Sequence, residues 1–168
     1  MWWFRAAALG AALVLAAGCG FRPLYGQRSD GGSTFADLET IAIGPIPGRV
    51  GQILRNHLLD QLTPLGQQRP ARYRLDVRLS KFKEGLAIKK DEEITRSNLK
   101  LTADFVLRDP RSGETMYEGR SRSTASFNLV RSDFANLVAE QDAERRAARE
   151  ISDQIMTQLA VFFSRRGG

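Results

Sequence analysis

The sequence predicts an α+β domain built as a two-layer sandwich, in which a mixed four-stranded sheet carries two helices packed on one face. Three long stretches alternate apolar and polar residues, as half-buried strands do. Two further stretches repeat apolar residues at helical spacing. Together with one short apolar run, these elements follow one another in the order β-α-β-β-β-α.

The first strand and the first helix are predicted between residues 38 and 62. Leu38–Gly44 is a short apolar run followed at once by Pro45 and Pro47, so a strand is expected to end there. Residues 48–62 carry apolar side chains three or four positions apart, which indicates a helix with one buried face. Its apolar positions are Val50, Ile53, Leu54, Leu58 and Leu62. Pro64 follows and ends the helix, because proline lacks the amide hydrogen that a helix needs.

Three long strands follow, and each is recognised by its alternation. Arg72–Phe82 alternates apolar with charged residues, residues 99–107 repeat the pattern, and residues 115–127 return as the last strand. The segment Asp109–Gly113 contains proline and glycine, which supply the backbone angles of a tight turn. The three strands are therefore expected to run antiparallel, with one apolar and one polar face.

The last element is a long helix that Ser132 or Asp133 can cap and that ends near residue 163. Small residues in its first half would let it approach the sheet closely, and large residues fill its second half. The predicted inner stripe is Ala139, Ala143, Ala147, Ile151, Ile155, Leu159 and Phe162. On the opposite face, Arg146 lies four residues from both Asp142 and Glu150, a spacing at which ion pairs form.

Residues 1–18 have the organisation of a secretory signal peptide. Arg5 and the terminal amine make the start positive, and residues 6–17 form an uncharged run rich in Ala, Leu and Val. That run is shorter than the roughly 20 apolar residues that span a bilayer, but it fits the core of a signal peptide, which has about 7–15 residues. We therefore expect residues 1–18 to be absent from the mature protein.

The only cysteine of the chain, Cys19, follows the small residues Ala16-Ala17-Gly18. This arrangement resembles a bacterial lipobox, whose thiol receives diacylglycerol; an ordinary secretory signal that contains a cysteine is the alternative. Lipoproteins of this kind carry three acyl chains, and two or more hold a protein firmly in a bilayer. Gly20 rather than Asp comes next, which by resemblance to lipoprotein sorting in Gram-negative bacteria favours the periplasmic side of the outer membrane. An acylated linker over 19–34 and a single domain over 35–168 would then follow.

The composition excludes several classes of protein. One Cys and one His cannot form an internal disulfide or a Cys/His zinc cluster. His57 lies beside apolar positions of the first helix, and no Gly-x-Ser-x-Gly elbow or phosphate-binding glycine loop accompanies it. The acidic run Asp91–Glu93 lacks the alternating ligands of a calcium loop. The sequence therefore predicts no enzyme, no cofactor and no metal.

The polar side of the three long strands is rich in arginine. Its basic residues are Arg72, Arg74, Arg78, Lys100, Arg108, Arg120 and Arg122. The acidic residues of the same side are Asp76, Asp104 and Glu118. Arginine presents a rigid fork of donors that binds phosphate or carboxylate through two hydrogen bonds. This side is therefore predicted to bind an anion or a partner protein, and a solvated face with cross-strand ion pairs is the alternative.

A phosphate-rich partner is the natural expectation for such a charge distribution. Nucleic acid is the usual partner of a basic surface, but export from the cytoplasm argues against it. In the outer membrane the abundant phosphate-rich ligand is lipopolysaccharide. Lys89 and Lys90, between the second and third strands, and Arg131, just before the last helix, add to the same positive charge.

The start of the predicted mature chain carries a more specific signal. Residues 19–26 read Cys-Gly-Phe-Arg-Pro-Leu-Tyr-Gly. This string resembles the opening of mature lipoproteins of the LptE family in its alphaproteobacterial form. The length and element order of the remaining chain agree with the same family.

The resemblance implies a function. LptE-like proteins occupy the lumen of the large β-barrel LptD as a heterodimer, help that barrel fold, and bind lipopolysaccharide as it passes to the outer leaflet. It implies that Lys89, Lys90 and Arg131 contact the lipid A phosphates, because family members make such contacts near these loop ends. An auxiliary outer-membrane lipoprotein of a phospholipid ABC transport system is the alternative function.

Acylation at Cys19 can be tested directly. The substitution Cys19→Ala removes the thiol that would receive diacylglycerol, so we expect the precursor to stay uncut and unlipidated. Gel mobility, metabolic labelling with a radioactive fatty acid and membrane fractionation measure these outcomes. Normal processing and membrane retention of the variant would contradict the lipobox interpretation.

Overall fold

Three helices and four strands make up the part of the chain that the structure, a computed structural model, describes: residues 34–63, 70–86 and 96–166. In chain order they are α1 (Thr34–Leu38), β1 (Ile41–Ile43), α2 (Gly48–Leu62), β2 (Tyr73–Leu86), β3 (Arg96–Arg108), β4 (Thr115–Asn128) and α3 (Asp133–Arg166).

The four strands form one mixed sheet in the order β1-β2-β3-β4. β1 runs parallel to β2, while β2, β3 and β4 run antiparallel. Most apolar residues at odd-numbered positions of the long strands, such as Leu75, Leu101 and Phe127, are buried on the side where the helices pack. The even-numbered residues form the opposite, uncovered side, which we call the open face. The predicted two-layer α+β sandwich is confirmed.

The first strand is shorter than the sequence predicts. A strand is expected over Leu38–Gly44, but residues 34–38 form α1 and the strand spans only Ile41–Ile43. Thr40 ends α1, because its hydroxyl and its amide both donate to the carbonyl oxygen of Asp37, at 2.7 and 3.1 Å. Leu38 is therefore a core residue that reaches the interior from a helix.

β2 and β3 extend further than their alternation predicts. β2 continues past Phe82 to Leu86, and β3 begins at Arg96 rather than near Leu99. The added residues are mostly polar, so hydrophobic alternation does not reveal them. They form strands because each one pairs with its neighbour in the antiparallel ladder.

The turn between β3 and β4 has the predicted chemistry. A carboxylate oxygen of Asp109 accepts a hydrogen bond from the amide of Arg111 at 2.8 Å. Gly113 has φ +72°, a left-handed angle that glycine adopts without strain. Its amide donates to the carbonyl oxygen of Asp109 at 2.8 Å, which closes the turn.

α3 has 34 residues, which at roughly 1.5 Å per residue makes it about 51 Å long. The hydroxyl of Ser132 caps its first turn by accepting from the amide of Ala135 at 3.4 Å. The helix buries two adjacent rows of side chains, because it packs against α2 as well as against β3 and β4. The predicted stripe forms one row from Ala143 to Leu159, but Ala139 and Phe162 are only partly buried, and Phe163 takes the buried position.

One of the two predicted ion pairs on the outer side of α3 is present. Arg146 Nε donates to Asp142 at 2.9 Å, and this bond lowers the pKa of the Asp142 carboxyl below its usual range. Glu150, the other predicted partner of Arg146, instead accepts a hydrogen bond from the Ser123 hydroxyl of β4 at 2.6 Å. Glu150 therefore ties the helix to the sheet.

Gly119 on β4 lies where the ring of Phe105 and the side chain of Gln158 from α3 meet. A Cβ at this position would clash with the ring of Phe105, and it would lie 2.8 Å from Gln158 Oε1. Phe105 is 1% exposed and has no room to withdraw. The absence of a side chain at residue 119 therefore lets Phe105 fill the space between β4 and α3.

Filling this space should destabilise the domain. We expect Gly119→Ala to lower the free energy of unfolding by about 1–3 kcal/mol, the usual cost of overpacking a core. Urea unfolding followed by circular dichroism measures the change. Phe105→Leu in the Gly119→Ala background should recover part of the loss, since it vacates the clashing atoms. Gly85→Ala, at an exposed strand position, is the control; equal losses at residues 85 and 119 would contradict the packing argument.

Candidate partner-binding face

The structure places six of the seven predicted basic residues on the open face of the sheet, within strands β2 to β4, and all six are exposed: Arg74, Arg78, Lys100, Arg108, Arg120 and Arg122. Arg72, which is also exposed, directly precedes β2. These strand residues all have even numbers. Apart from the register shift between β3 and β4 at Arg108, even-numbered residues pair with even-numbered residues across the three strands, so their side chains point to the same face. The sequence pattern therefore identified one continuous surface.

Three of these basic residues are held by neighbouring carboxylates. Arg74 Nε donates to Asp76 at 2.9 Å, and Lys100 Nζ lies 2.7 Å from Glu84. Arg120 bonds to Asp104, its direct partner across β3 and β4. These contacts are exposed ion pairs, which stabilise a fold only slightly. Part of the open face therefore agrees with the alternative prediction, a solvated face that carries ion pairs between strands.

Three other arginines are not matched in this way. Within residues 34–63, 70–86 and 96–166, the guanidinium groups of Arg78, Arg108 and Arg122 have no carboxylate within ion-pair distance. Arg78 lies opposite Asp104, but that carboxylate bonds to Arg120. These three guanidinium groups therefore keep their hydrogen-bond donors available to an anion or to a partner.

The sequence interpretation missed two residues of this face. Arg96 is exposed at the start of β3, and it was overlooked because the strand was predicted to begin later. Phe82 on β2 is 62% exposed, the only large apolar side chain that the described part of the open face exposes to this extent. Continuing the alternation backwards through Arg96 and Asn98 would have found the first of them.

The loop cations predicted to bind phosphate are only partly described. Arg131 is exposed and lies three residues beyond Asn128, at the end of the sheet where the β2–β3 connection leaves Leu86. We call this the hairpin end of the domain. Lys89 and Lys90 lie outside the described residues, as does Cys19.

An apolar patch adjoins Arg131 at the hairpin end. Phe134, Leu137 and Val138, in the first turns of α3, are 77%, 54% and 45% exposed, and Val130 before the helix is 55% exposed. The three helical residues follow the i, i+3, i+4 spacing of one helix face. The sequence carried this signal, but the predicted stripe began only at residue 139. Cationic and apolar side chains thus meet at one end of the domain.

The described residues hold no other evident chemical site. In that part of the chain, His, Cys, Asp and Glu side chains do not gather in threes as a metal ion would require. His57 is half-buried on α2. No helix in residues 34–63, 70–86 or 96–166 is long and apolar enough to cross a membrane.

Solved structures share this fold. A putative lipoprotein from Caulobacter crescentus is 25% identical with a TM-score of 0.64, covering 78% of this chain and 96% of that one. A minor lipoprotein from Acinetobacter baumannii is 20% identical with a TM-score of 0.58, covering 73% of this chain and 92% of that one. Rare lipoprotein B from Shewanella oneidensis is 11% identical with a TM-score of 0.57, covering 77% of this chain and 98% of that one. The last two similarities concern the fold alone.

The family is identified by sequence. The search of curated proteins found no match. The family model described as "LptE: Lipopolysaccharide-assembly" matches residues 38–159, a range that runs from the end of α1 to near the end of α3. The chain therefore belongs to the LptE family, a non-enzymatic family of lipoproteins of the bacterial envelope that take part in lipopolysaccharide assembly.

Proposed function

We propose that this chain is an outer-membrane lipoprotein, anchored by acyl chains on Cys19, that occupies the lumen of the LptD β-barrel, helps the barrel assemble and binds lipopolysaccharide on its way to the outer leaflet. Family membership supports the general role in lipopolysaccharide assembly. We infer the placement inside a barrel and the binding of lipopolysaccharide from the side chains that the domain exposes.

The observation that carries the proposal is the open face. Within the described residues the helices leave one whole side of the four-stranded sheet uncovered, and its exposed side chains are mostly charged or carry hydroxyl groups, with Phe82 as the large apolar exception. The lumen of a large membrane barrel is polar and wet. A domain enclosed there can keep such a face, because polar groups meet water or polar side chains of the barrel wall rather than lipid.

The hairpin end supports the binding of an amphiphilic ligand. Lipopolysaccharide combines phosphate groups with acyl chains, so its recognition needs cations next to an apolar surface. Arg131 lies beside the exposed patch of Val130, Phe134, Leu137 and Val138. Lys89 and Lys90, in the neighbouring connection, are proposed to add to the charge.

Co-purification tests the barrel partnership. We expect a tagged full-length chain, extracted with detergent from the outer membrane, to bring down one large heat-modifiable β-barrel at equal stoichiometry, identified as LptD by mass spectrometry. The Cys19→Ala variant is the control for membrane anchoring. Recovery of the chain alone, or with an inner-membrane transporter, would contradict the proposal and favour the auxiliary-lipoprotein function.

Charge reversal tests the ligand. Changing Lys89, Lys90 and Arg131 to Glu should weaken lipopolysaccharide binding by about 100-fold at low salt, since each cation near an anionic lipid surface contributes roughly 1 kcal/mol. The loss should shrink as salt screens the charges. Fluorescence titration with purified lipopolysaccharide measures both effects.

A matched variant controls for net charge. Reversal of three exposed arginines away from the hairpin end, Arg111, Arg149 and Arg165, changes the net charge equally and should reduce binding much less. Equal losses in the two triple variants, with both proteins folded, would remove Lys89, Lys90 and Arg131 from the ligand site.

A further inference from the structure

Among the described residues, no strand pairs with most of the outer edge of β2. β1 pairs only with Tyr73–Leu75, and its last contact is the bond from the Gly44 amide to the Leu75 carbonyl oxygen at 2.9 Å. Pro45 and Pro47 then lead the chain away into α2. β2 continues for a further eleven positions beyond this contact, to Leu86, with β3 on its other side only.

The direction of the backbone groups along this edge follows from the paired part. Since the Leu75 carbonyl points away from β3, so do the backbone groups of every second residue after it. These residues are Val77, Leu79, Lys81, Lys83 and Gly85. No hydrogen bond joins their outward amides or carbonyls to any group in the described part of the chain. The edge is therefore ready to pair with another strand.

The opposite edge of the sheet, formed by β4, receives hydrogen bonds from side chains of α3. The Gln154 side chain donates to the Arg122 carbonyl at 3.1 Å and accepts from the Arg122 amide at 3.2 Å, as a neighbouring strand would. Gln158 donates to the Arg120 carbonyl at 3.3 Å. Glutamine side chains of α3 thus satisfy the outer backbone groups of β4 at Arg120 and Arg122, and the edge of β2 receives no such bonds in the described residues.

A groove runs beside the free edge on the helix side. It has a volume of about 410 Å³ and lies between β2 and the first turn of α2. Its walls include Pro47, Val50 and Leu79, with Lys81 and the buried Glu144 at one side. On the open face, Phe82 stands 62% exposed on the same strand. An added strand would bring side chains to both places, because successive side chains of a strand point to opposite faces.

The charge along the edge indicates the chemistry of the occupant. Arg49, Lys81 and Lys83 have side chains that are 52%, 44% and 53% exposed, and Arg78 stands exposed on the open face. The carboxylates that face them from α3, Glu140 and Glu144, offset only part of this charge. A second copy of the chain would set these cations against one another, which destabilises cross-strand pairs. An acidic segment would be complementary.

We propose that the free edge of β2, from Val77 to Gly85, receives an extended acidic segment of the barrel partner as an added strand, with an apolar side chain in the groove beside α2. Main-chain hydrogen bonds would supply the affinity, and the groove the specificity, as in other cases of strand addition. The inference rests on the proposed function, because it takes the barrel as the source of the segment.

Hydrogen exchange of the purified complex, resolved to single residues, tests the pairing. The outward amides of Leu79, Lys81 and Lys83 should exchange at least about tenfold more slowly in the complex than in the free lipoprotein. The amides of Ser80 and Phe82, which point toward β3, should change little. Equal slowing of the two sets would indicate simple enclosure by the barrel and would overturn the inference.

A pair of variants at residue 83 isolates one main-chain bond. Lys83→Pro and Lys83→Ala both remove the ion pair to Glu140, seen at 2.9 Å, but only proline also removes the outward amide hydrogen. We expect the proline variant to bind the barrel about tenfold more weakly than the alanine variant, the effect of one main-chain hydrogen bond. Equal affinities of the folded variants would overturn the inference. Should the proline variant fail to fold, the exchange pattern of the unmodified chain decides.

The outcomes separate this inference from the proposed function. If no barrel co-purifies, both fail together. If the barrel co-purifies and the outward amides of β2 stay unprotected, the added strand fails and the partnership stands. Protection in a homodimer without the barrel would assign the edge to a second copy and would also overturn the inference.

Discussion

The packing of α3 across the sheet is the interaction on which the rest of the structure depends. The helix buries one row of side chains against β3 and β4 and a second row against α2, so it joins both layers of the sandwich. Gly119 of β4 lies beside this helix, and the ring of Phe105 occupies the space that a side chain there would take. The glutamines of α3 also bond to the outer edge of β4. The position of α3 thus determines which face of the sheet is covered.

The open face follows from this arrangement. With both long helices on one side, the even-numbered residues of three strands stay outside the core, and an apolar surface of that size would be a liability for a solvated protein. The face is polar, but its ion pairs are incomplete. Arg78, Arg108 and Arg122 have no carboxylate partner in the described residues, although Asp104 lies opposite the first of them and bonds elsewhere. These three guanidinium groups therefore still have hydrogen-bond donors to offer.

The two ends of the domain are not equivalent. The hairpin end combines Arg131 with exposed apolar residues of α3, a combination that suits an amphiphilic ligand. The other end packs the aromatic residues Tyr73, Tyr117, Phe162 and Phe163 against one another and belongs to the core. The two edges of the sheet also differ. Because β1 ends early, most of the edge of β2 has no pairing strand in the described residues, whereas glutamines of α3 bond to the edge of β4. Membership of the LptE family gives these features a shared context, the assembly of lipopolysaccharide.

Local residue patterns were enough to predict both long helices, the three long strands and the two faces of the sheet. Period-two alternation predicted three strands and six basic residues of the open face, because the side to which a strand residue points depends only on its position along the strand. Helical spacing placed α2 and α3 for the same reason. The polar extensions of β2 and β3 were not predicted, because they form strands by pairing with each other and carry no hydrophobic pattern.

Which of these residues have partners depends on the packing of distant segments. In the folded domain Asp104 pairs with Arg120 rather than with Arg78, and Glu150 accepts a hydrogen bond from Ser123. Contact with α2 buries a second row of side chains on α3. β1 also ends at Ile43, which leaves most of the edge of β2 without a pairing strand in the described residues. Such outcomes depend on distances between segments far apart in the chain, and no local pattern of residues encodes them.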